Sequence, residues 1–177
     1  MNSDQETDIR NRYRALRAHV TPGDAITVLH IGPGHTAVAT GRDMEAADAL
    51  VLNIGAEKTA REFFRRSPPT PLEMENAIAT VEDEVTRVLP LQETSATLWC
   101  TDAVVRRIAV LAGVTPGARM SLSLEAMEQT FERLAAVAEG RRIMDESLPD
   151  STGFAAALLI LREFMHHLRF AAITVTD

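Results

Sequence analysis

The feature that most constrains the fold is a succession of three short apolar segments near the start of the chain, each followed by glycine. They cover residues 25–31, 36–40 and 49–54. β-Branched residues are frequent in them, which favours strands over helices. The turn Gly32-Pro33-Gly34 joins the first two segments, so a β-hairpin and then a third strand are predicted.

Helical patterns dominate the rest of the chain. Thr70, Pro71 and Glu73 form a capping-box signature before an amphipathic stretch that runs to Leu89. Further helices are predicted at about 102–112, from Ser123, around 139–146 and over 154–168, and further strands at 94–100 and 172–175. The predicted fold is α/β and ribonuclease-H-like (actin-like). Its mixed five-stranded sheet has the order β-β-β-α-β-α-α-α-β, with helices on both faces.

The chain has the size and composition of one domain. It has 177 residues, of which 46% are hydrophobic, enough for one sizeable core. Residues 1–8 are polar and are expected to be disordered, whereas Ile9, Tyr13, Leu16 and Val20 recur at helical spacing. We therefore predict a tail and lead-in helix over 1–24 and a single domain over 25–177.

Charge and hydropathy exclude several classes of partner. The 25 acidic and 18 basic residues give a net charge of −7, and no basic run is present, which argues against nucleic acid and anionic membrane. The most apolar stretch, 154–161, is shorter than the roughly 20 residues of a membrane span. The start of the chain lacks the pattern of a signal peptide. Cys100 is the single cysteine, so no intrachain disulfide can form, and a cytoplasmic location is expected.

Four segments in the same order carry a family resemblance. Residues 28–36 (VLHIGPGHT) stand where the family has an Asp-Ile-Gly-Gly-Gly-Ser-Thr phosphate loop. Residues 53–71, 119–123 and 172–177 are similar to later segments. Together they resemble the second, actin-like half of the exopolyphosphatase and guanosine-pentaphosphate phosphohydrolase family. The resemblance implies a phosphate site between two such halves, with the catalytic carboxylate in the first, which has no counterpart here.

The phosphate loop that this resemblance implies has altered chemistry. Its candidate ligand-binding residues are His30, Gly32, Gly34, His35 and Thr36. Glycine turns can present backbone N–H groups to phosphate, but Pro33 removes one donor, and His30 replaces the acid that would serve Mg²⁺. An ordinary tight hairpin with a half-buried histidine is the alternative interpretation.

A second loop lies after the fourth predicted strand. Thr101 and Asp102 stand there in place of the Gly-Gly-Thr loop that the resemblance implies. Asp102 is a favourable helix N-cap, but its negative charge would occupy the position of a phosphate.

No metal site and no catalytic residue are predicted. His30 and His35 could face each other and bind a transition metal, yet no third ligand has suitable spacing. His166 and His167 point about 100° apart on a helix, which indicates one exposed and one boundary histidine. Cys100 is expected to be a buried, unreactive thiol.

The leading hypothesis is a non-catalytic module for oligomerisation or protein interaction. A homodimer through the helix at 154–170, or a protein partner, is expected. One alternative is a phosphohydrolase acting on polyphosphate or guanosine penta- or tetraphosphate, completed by a second chain and using Mg²⁺. Another is a sensor that binds phosphate or nucleotide without hydrolysis. No other cofactor is expected.

Overall fold

A computed structural model describes residues 2–141 and 148–177. The helices are α1 (Asn2–Arg17), α2 (Ala56–Phe63), α3 (Pro71–Thr86), α4 (Ala103–Leu111), α5 (Leu124–Ala138) and α6 (Thr152–His167). The strands are β1 (Ile26–Ile31), β2 (Thr36–Gly41), β3 (Asp48–Leu52), β4 (Thr97–Cys100), β5 (Arg119–Ser123) and β6 (Ala172–Thr176). A short 3₁₀ turn spans Leu89–Leu91.

The six strands form one mixed sheet in the order β3-β2-β1-β4-β6-β5. β1, β2 and β3 form an antiparallel meander, with Ile31 opposite Thr36 at the hairpin. β1 pairs in parallel with β4, and β4 in parallel with β6, whereas β5 is antiparallel to β6. Parallel pairing brings the carboxyl ends of β1, β4 and β6 to the same edge of the molecule.

Each face of the sheet has its own hydrophobic core. On one face, Ile9, Tyr13 and Leu16 of α1 pack on alternate residues of the meander and on Trp99 of β4. The larger core lies on the other face, where the remaining helices pack. The prediction of an α/β fold with helices on both sides of a mixed sheet is therefore confirmed.

Helix α6 is the centre of the larger core. Twelve of its sixteen residues are buried, and it contacts α2, α3, α4 and α5. The predicted dimerisation through residues 154–170 is not compatible with this arrangement, because the apolar surface of the helix is already covered within the chain. His166 is exposed and His167 is half-buried, as predicted.

The prediction of a disordered N-terminus is wrong. Helix α1 begins at Asn2, and the i,i+4 ion pairs Arg10–Glu6 (3.1 Å) and Arg12–Asp8 (2.7 Å) support its polar first half. These charged residues are spaced four apart on the same helix as Ile9, Tyr13 and Leu16. The polar composition of residues 1–8 was therefore not a sign of disorder.

The predicted strand count and order are also wrong. Residues 119–123 form β5, a strand in which buried Met120 and Leu122 alternate with exposed neighbours. Two helices, α2 and α3, connect β3 to β4 where the predicted order has one. The capping box at Thr70 and the cap at Ser123 are confirmed. The short helix predicted around 139–146 falls mostly on residues outside the described part, and α5 ends at Ala138.

None of the helices in the described ranges, 2–141 and 148–177, is long and apolar enough to cross a membrane.

Candidate functional site

The two predicted loops meet at the carboxyl ends of β1 and β4. His30 is near the end of β1, and Thr101 and Asp102 follow β4 directly. Because β1 and β4 are parallel neighbours, side chains at their carboxyl ends lie side by side. The resulting polar group, which we call the His30–Asp102 cluster, comprises Asp8, Arg12, His30, His35 and Asp102.

The carboxylate of Asp102 is the centre of the cluster. Its side chain is only 8% exposed. The backbone N–H of Ile31 donates to Oδ2 at 2.7 Å, and Nδ1 of His30 lies 2.7 Å from Oδ1. The thiol of Cys100 donates to Oδ2 at 3.3 Å. Asp102 therefore ties the end of β1 to the start of α4.

Asp102 holds the helix N-cap position without capping the helix. Its side chain makes no hydrogen bond to the first turn of α4. The predicted N-cap is thus confirmed in position only, because the carboxylate turns towards β1 and binds Ile31 and His30 instead.

The contact with Asp102 sets the tautomer of His30. Since an ionised carboxylate can only accept, Nδ1 of His30 carries the proton of this hydrogen bond and donates, which leaves Nε2 for another partner. The side chain of His30 is 16% exposed. This is the arrangement in which a carboxylate orients an imidazole.

Helix α1 supplies the cationic side of the cluster. Arg12 donates to Asp8 at 2.7 Å, to Thr101 Oγ1 at 3.3 Å and to Asp102 at 3.5 Å. The hydrogen bond from Arg12 lowers the pKa of Asp8 below its ordinary value. Arg12 therefore compensates charge on both carboxylates and anchors α1 to the loop after β4.

His35 lies beside His30, and within the part of the chain that the structure describes it has no ion-pair partner. The two ring centroids are 5.8 Å apart in an edge-to-face arrangement. Partial burial and then the neighbouring His30 lower the pKa of His35 below its ordinary value. His35 is accordingly a neutral imidazole near pH 7.

The loop between β1 and β2 is fixed by its own backbone. Gly32 N–H donates to His35 O at 2.9 Å, and the carbonyls of Gly32 and Pro33 accept the first N–H groups of α2, those of Ala56, Glu57 and Lys58. The N-terminal donors of α2 are therefore occupied by the loop itself.

Gly55 permits this close approach. A Cβ on Gly55 would lie 2.4 Å from His35 N and 2.6 Å from Gly34 C, both backbone atoms. A side chain there would displace the loop, so the turn and α2 form one rigid unit.

The five predicted loop residues separate into two sets. His30, Gly32 and His35 are together: a Cβ on Gly32 would lie 3.1 Å from both His30 Nε2 and His35 O. Gly34 faces open space. Thr36 is fully buried, alternates onto the face opposite His30, and leaves its Oγ1 without a partner among the described residues.

The side chains of the cluster are not arranged as a metal centre. In residues 2–141 and 148–177, no group of three or more His, Cys, Asp or Glu side chains is placed to hold a metal ion. The predicted burial of Cys100 is confirmed, and burial with the adjacent Asp102 raises the pKa of its thiol well above the ordinary value. A thiol in this state is a poor nucleophile.

Sequence reasoning missed the contribution of α1. Asp8 and Arg12 belong to the cluster, although residues 1–8 were assigned to a disordered tail. Their i,i+4 spacing, in phase with the apolar positions of the same helix, was the available signal.

Comparisons with known proteins agree with this architecture. The model of the Ppx/GppA phosphatase family matches residues 4–177. The structure of the Aquifex aeolicus PPX-GPPA enzyme superposes with a TM-score of 0.78 at 18% identity, covering 98% of this chain and 60% of that one. An exopolyphosphatase from Cytophaga hutchinsonii ATCC 33406 gives a TM-score of 0.70 at 15% identity, with 98% and 59% coverage.

The matches cover nearly all of this chain but only part of each solved structure. This chain spans about 60% of the length of the solved structures it resembles. A search among curated proteins found no match.

Proposed function

Because the chain belongs to the Ppx/GppA phosphatase family and so has a phosphohydrolase-type fold, we propose that it acts without hydrolysis. Its proposed role is that of a cytoplasmic association module that pairs with a second copy of itself. Three features support this. The Asp102 carboxylate occupies the centre of the His30–Asp102 cluster, the loop between β1 and β2 forms hydrogen bonds with its own backbone and with α2, and the sheet has open edge strands.

The observation that carries the proposal is the position of the Asp102 carboxylate. It accepts the Ile31 N–H and the His30 Nδ1–H, each at 2.7 Å, at the junction of the two loops. A fixed negative charge at this point repels an incoming phosphate and occupies the donors that would bind it. Phosphate binding at the junction would require Asp102 to leave or to be protonated.

The loop itself offers few donors. Pro33 has no N–H, Gly32 N–H is bonded to His35 O, and the first N–H groups of α2 are bonded to loop carbonyls. An anion that used the N–H of Gly32 or those of the first turn of α2 would have to break internal hydrogen bonds, which opposes binding at these donors.

The proposed dimer uses the edge strand β5. Among the described residues, β5 pairs on one side only, and Arg119, Ser121 and Ser123 are exposed on it. An open edge offers a row of backbone N–H and C=O groups, and a second β5 could pair with it about a two-fold axis.

The test of non-hydrolysis is isothermal calorimetry. The probes are ATP, guanosine tetraphosphate and short polyphosphate, each with and without Mg²⁺, together with an assay of phosphate release. The proposal predicts no binding heat and no release. Micromolar binding without release would support the sensor alternative, and release would support an enzyme.

Two variants make this test sharper. Asp102→Gly removes the repelling carboxylate, and His30→Asp restores an acid in the first loop. If the carboxylate is what excludes phosphate, Asp102→Gly should gain calorimetric binding that the wild type lacks. His30→Asp alone, which adds negative charge, should not.

Sedimentation equilibrium tests the association. A dimer is expected at micromolar concentration, weakened by Ser121→Lys, because two lysines would face each other across the two-fold axis. Ser3→Lys, an exposed serine of α1, is the matched control. A wild-type monomer at high micromolar concentration would contradict this part of the proposal.

One observation favours the enzymatic alternative. Nδ1 of His30 is hydrogen-bonded to Asp102, and no hydrogen bond to Nε2 of His30 occurs within the described ranges. In the neutral ring with Nδ1 protonated, Nε2 is the nitrogen that can accept a proton from water. A phosphohydrolase completed by a second chain is the function that this geometry would serve, and the phosphate-release assay distinguishes it.

A further inference from the structure

A groove of about 420 Å³ lies between α1 and the half of the sheet that α1 leaves uncovered. Its wall is formed by Arg12 and Ala15 of α1 and by His19 in the turn that follows the helix. Its floor is formed by Trp99 of β4 and the start of β5 at Arg119. The volume falls at the lower end of the range of small-molecule sites, about 300–1,000 Å³.

The floor of this groove contains a stacked platform. The guanidinium of Arg119 lies over the indole of Trp99, with Cζ 4.4 Å from the ring centroid. The indole is held in place, since its Nε1–H donates to Thr97 Oγ1 at 2.8 Å and only 3% of Trp99 is exposed. A guanidinium stacked on one side can stack a second planar group on its other side.

Arg119 is a charged residue of the groove that has no oppositely charged partner among the described residues. Arg12 is paired with Asp8 at 2.7 Å and Asp102 at 3.5 Å, and Asp177 is paired with Arg106 at 2.6 Å. For Arg119, no ion pair or side-chain hydrogen bond occurs within residues 2–141 and 148–177. Its fork of N–H donors is free to bind a carboxylate.

From these features we propose that the groove binds a small planar aromatic carboxylate. The ring stacks on the Arg119–Trp99 platform beside the apolar wall at Ala15, and the carboxylate accepts hydrogen bonds from Arg119. A bicyclic aromatic acid fits the volume. The groove adjoins the His30–Asp102 cluster, since Arg12 and Thr101 line it, but the proposed ligand contacts, Arg119 and Trp99, lie outside that cluster. The proposal therefore does not depend on whether the chain binds phosphate.

The test uses 2-naphthoate as the probe and Trp99 as the reporter. Trp99 is the single tryptophan of the chain, so a proton–nitrogen correlation spectrum contains one indole signal. Titration with 2-naphthoate should shift this signal saturably. The neutral isostere 2-naphthamide should bind at least about tenfold more weakly, because it lacks the charge-assisted hydrogen bonds.

Two variants localise the contact. Arg119→Gln should weaken 2-naphthoate binding about tenfold or more, whereas Arg66→Gln, an exposed arginine of the α2–α3 loop, should leave it unchanged. Ala15→Glu places a carboxylate on the wall and should abolish binding. Ala18→Glu, exposed on the turn after α1, should not.

Three results would each overturn the proposal. They are the absence of a saturable indole shift up to about 5 mM probe, equal affinity for the acid and the amide, and unchanged affinity in both Arg119→Gln and Ala15→Glu. Because both variants change exposed side chains, their spectra should otherwise match those of the wild type.

Discussion

Replacing Asp102 by alanine tests directly whether its carboxylate holds the two loops together. The change leaves the Ile31 N–H and the His30 Nδ1–H without their acceptor, and it also removes the longer contacts from Cys100 and Arg12. An unpaired buried donor costs about 1–3 kcal/mol. Ile31 is only 4% exposed, whereas the His30 side chain is 16% exposed, so we expect a loss of about 2–4 kcal/mol in the free energy of unfolding.

Asp102→Asn should lower stability less than Asp102→Ala, and the tautomer of His30 reports the reason. The amide oxygen of asparagine can accept from Ile31 N–H, and its NH₂ group can donate to Nδ1 of His30 once the imidazole proton moves to Nε2. We therefore expect about half the loss of the alanine variant. Long-range proton–nitrogen spectra should show His30 changing from the Nδ1–H to the Nε2–H tautomer.

Urea unfolding followed by circular dichroism measures both losses. The midpoint should fall while the slope stays constant, since the surface exposed on unfolding is unchanged. Asp83→Ala, an exposed aspartate of α3, is the control and should change stability by less than about 0.5 kcal/mol. If Asp102→Ala proved as stable as this control, or if Asp102→Asn left the His30 tautomer unchanged, the described role of Asp102 would be refuted.

Three further changes have expected outcomes. Gly55→Ala should lower the free energy of unfolding by about 1–3 kcal/mol, because its Cβ would overlap backbone atoms of the loop. Gly34 faces open space, so Gly34→Ala is the control and should leave stability unchanged; thermal melts measure both variants. Ile9→Ala, at a fully buried position of α1, should cost about 2–4 kcal/mol, read from urea midpoints. The pKa of His35 is lowered in the folded chain, so the unfolded chain takes up the proton first and stability should fall as the pH drops below about 6.5. His35→Gln should remove part of that fall between pH 7 and pH 5.

Local sequence signals predicted most of the elements correctly. The glycine-rich hairpin, the capping box at Thr70, the cap at Ser123 and the strand at the position of β6 each depend on neighbouring residues alone. β5 was missed because its buried residues, Met120 and Leu122, are few, and the strand is completed by pairing with β6, which lies about fifty residues later. Pairing between distant segments leaves little trace in local periodicity.

The sequence predicted the candidate site as two separate loops. It did not predict their contact, which the sheet topology produces. Nothing near His30 in the sequence indicates that Asp102 will reach it, because the contact depends on β1 and β4 being parallel neighbours. The role of α6 was misread for a related reason: an apolar helix looks the same in sequence whether it is covered by its own chain or by another.

The position of β6 has a consequence for how the protein is made. β6 lies inside the sheet, between β4 and β5, although it follows the other five strands of this sheet in the sequence. Until residues 172–176 leave the ribosome, β4 has one open side and β5 has no neighbour to pair with. We therefore expect a nascent chain that includes everything up to α6 to remain sensitive to protease, and protection to appear in one late step.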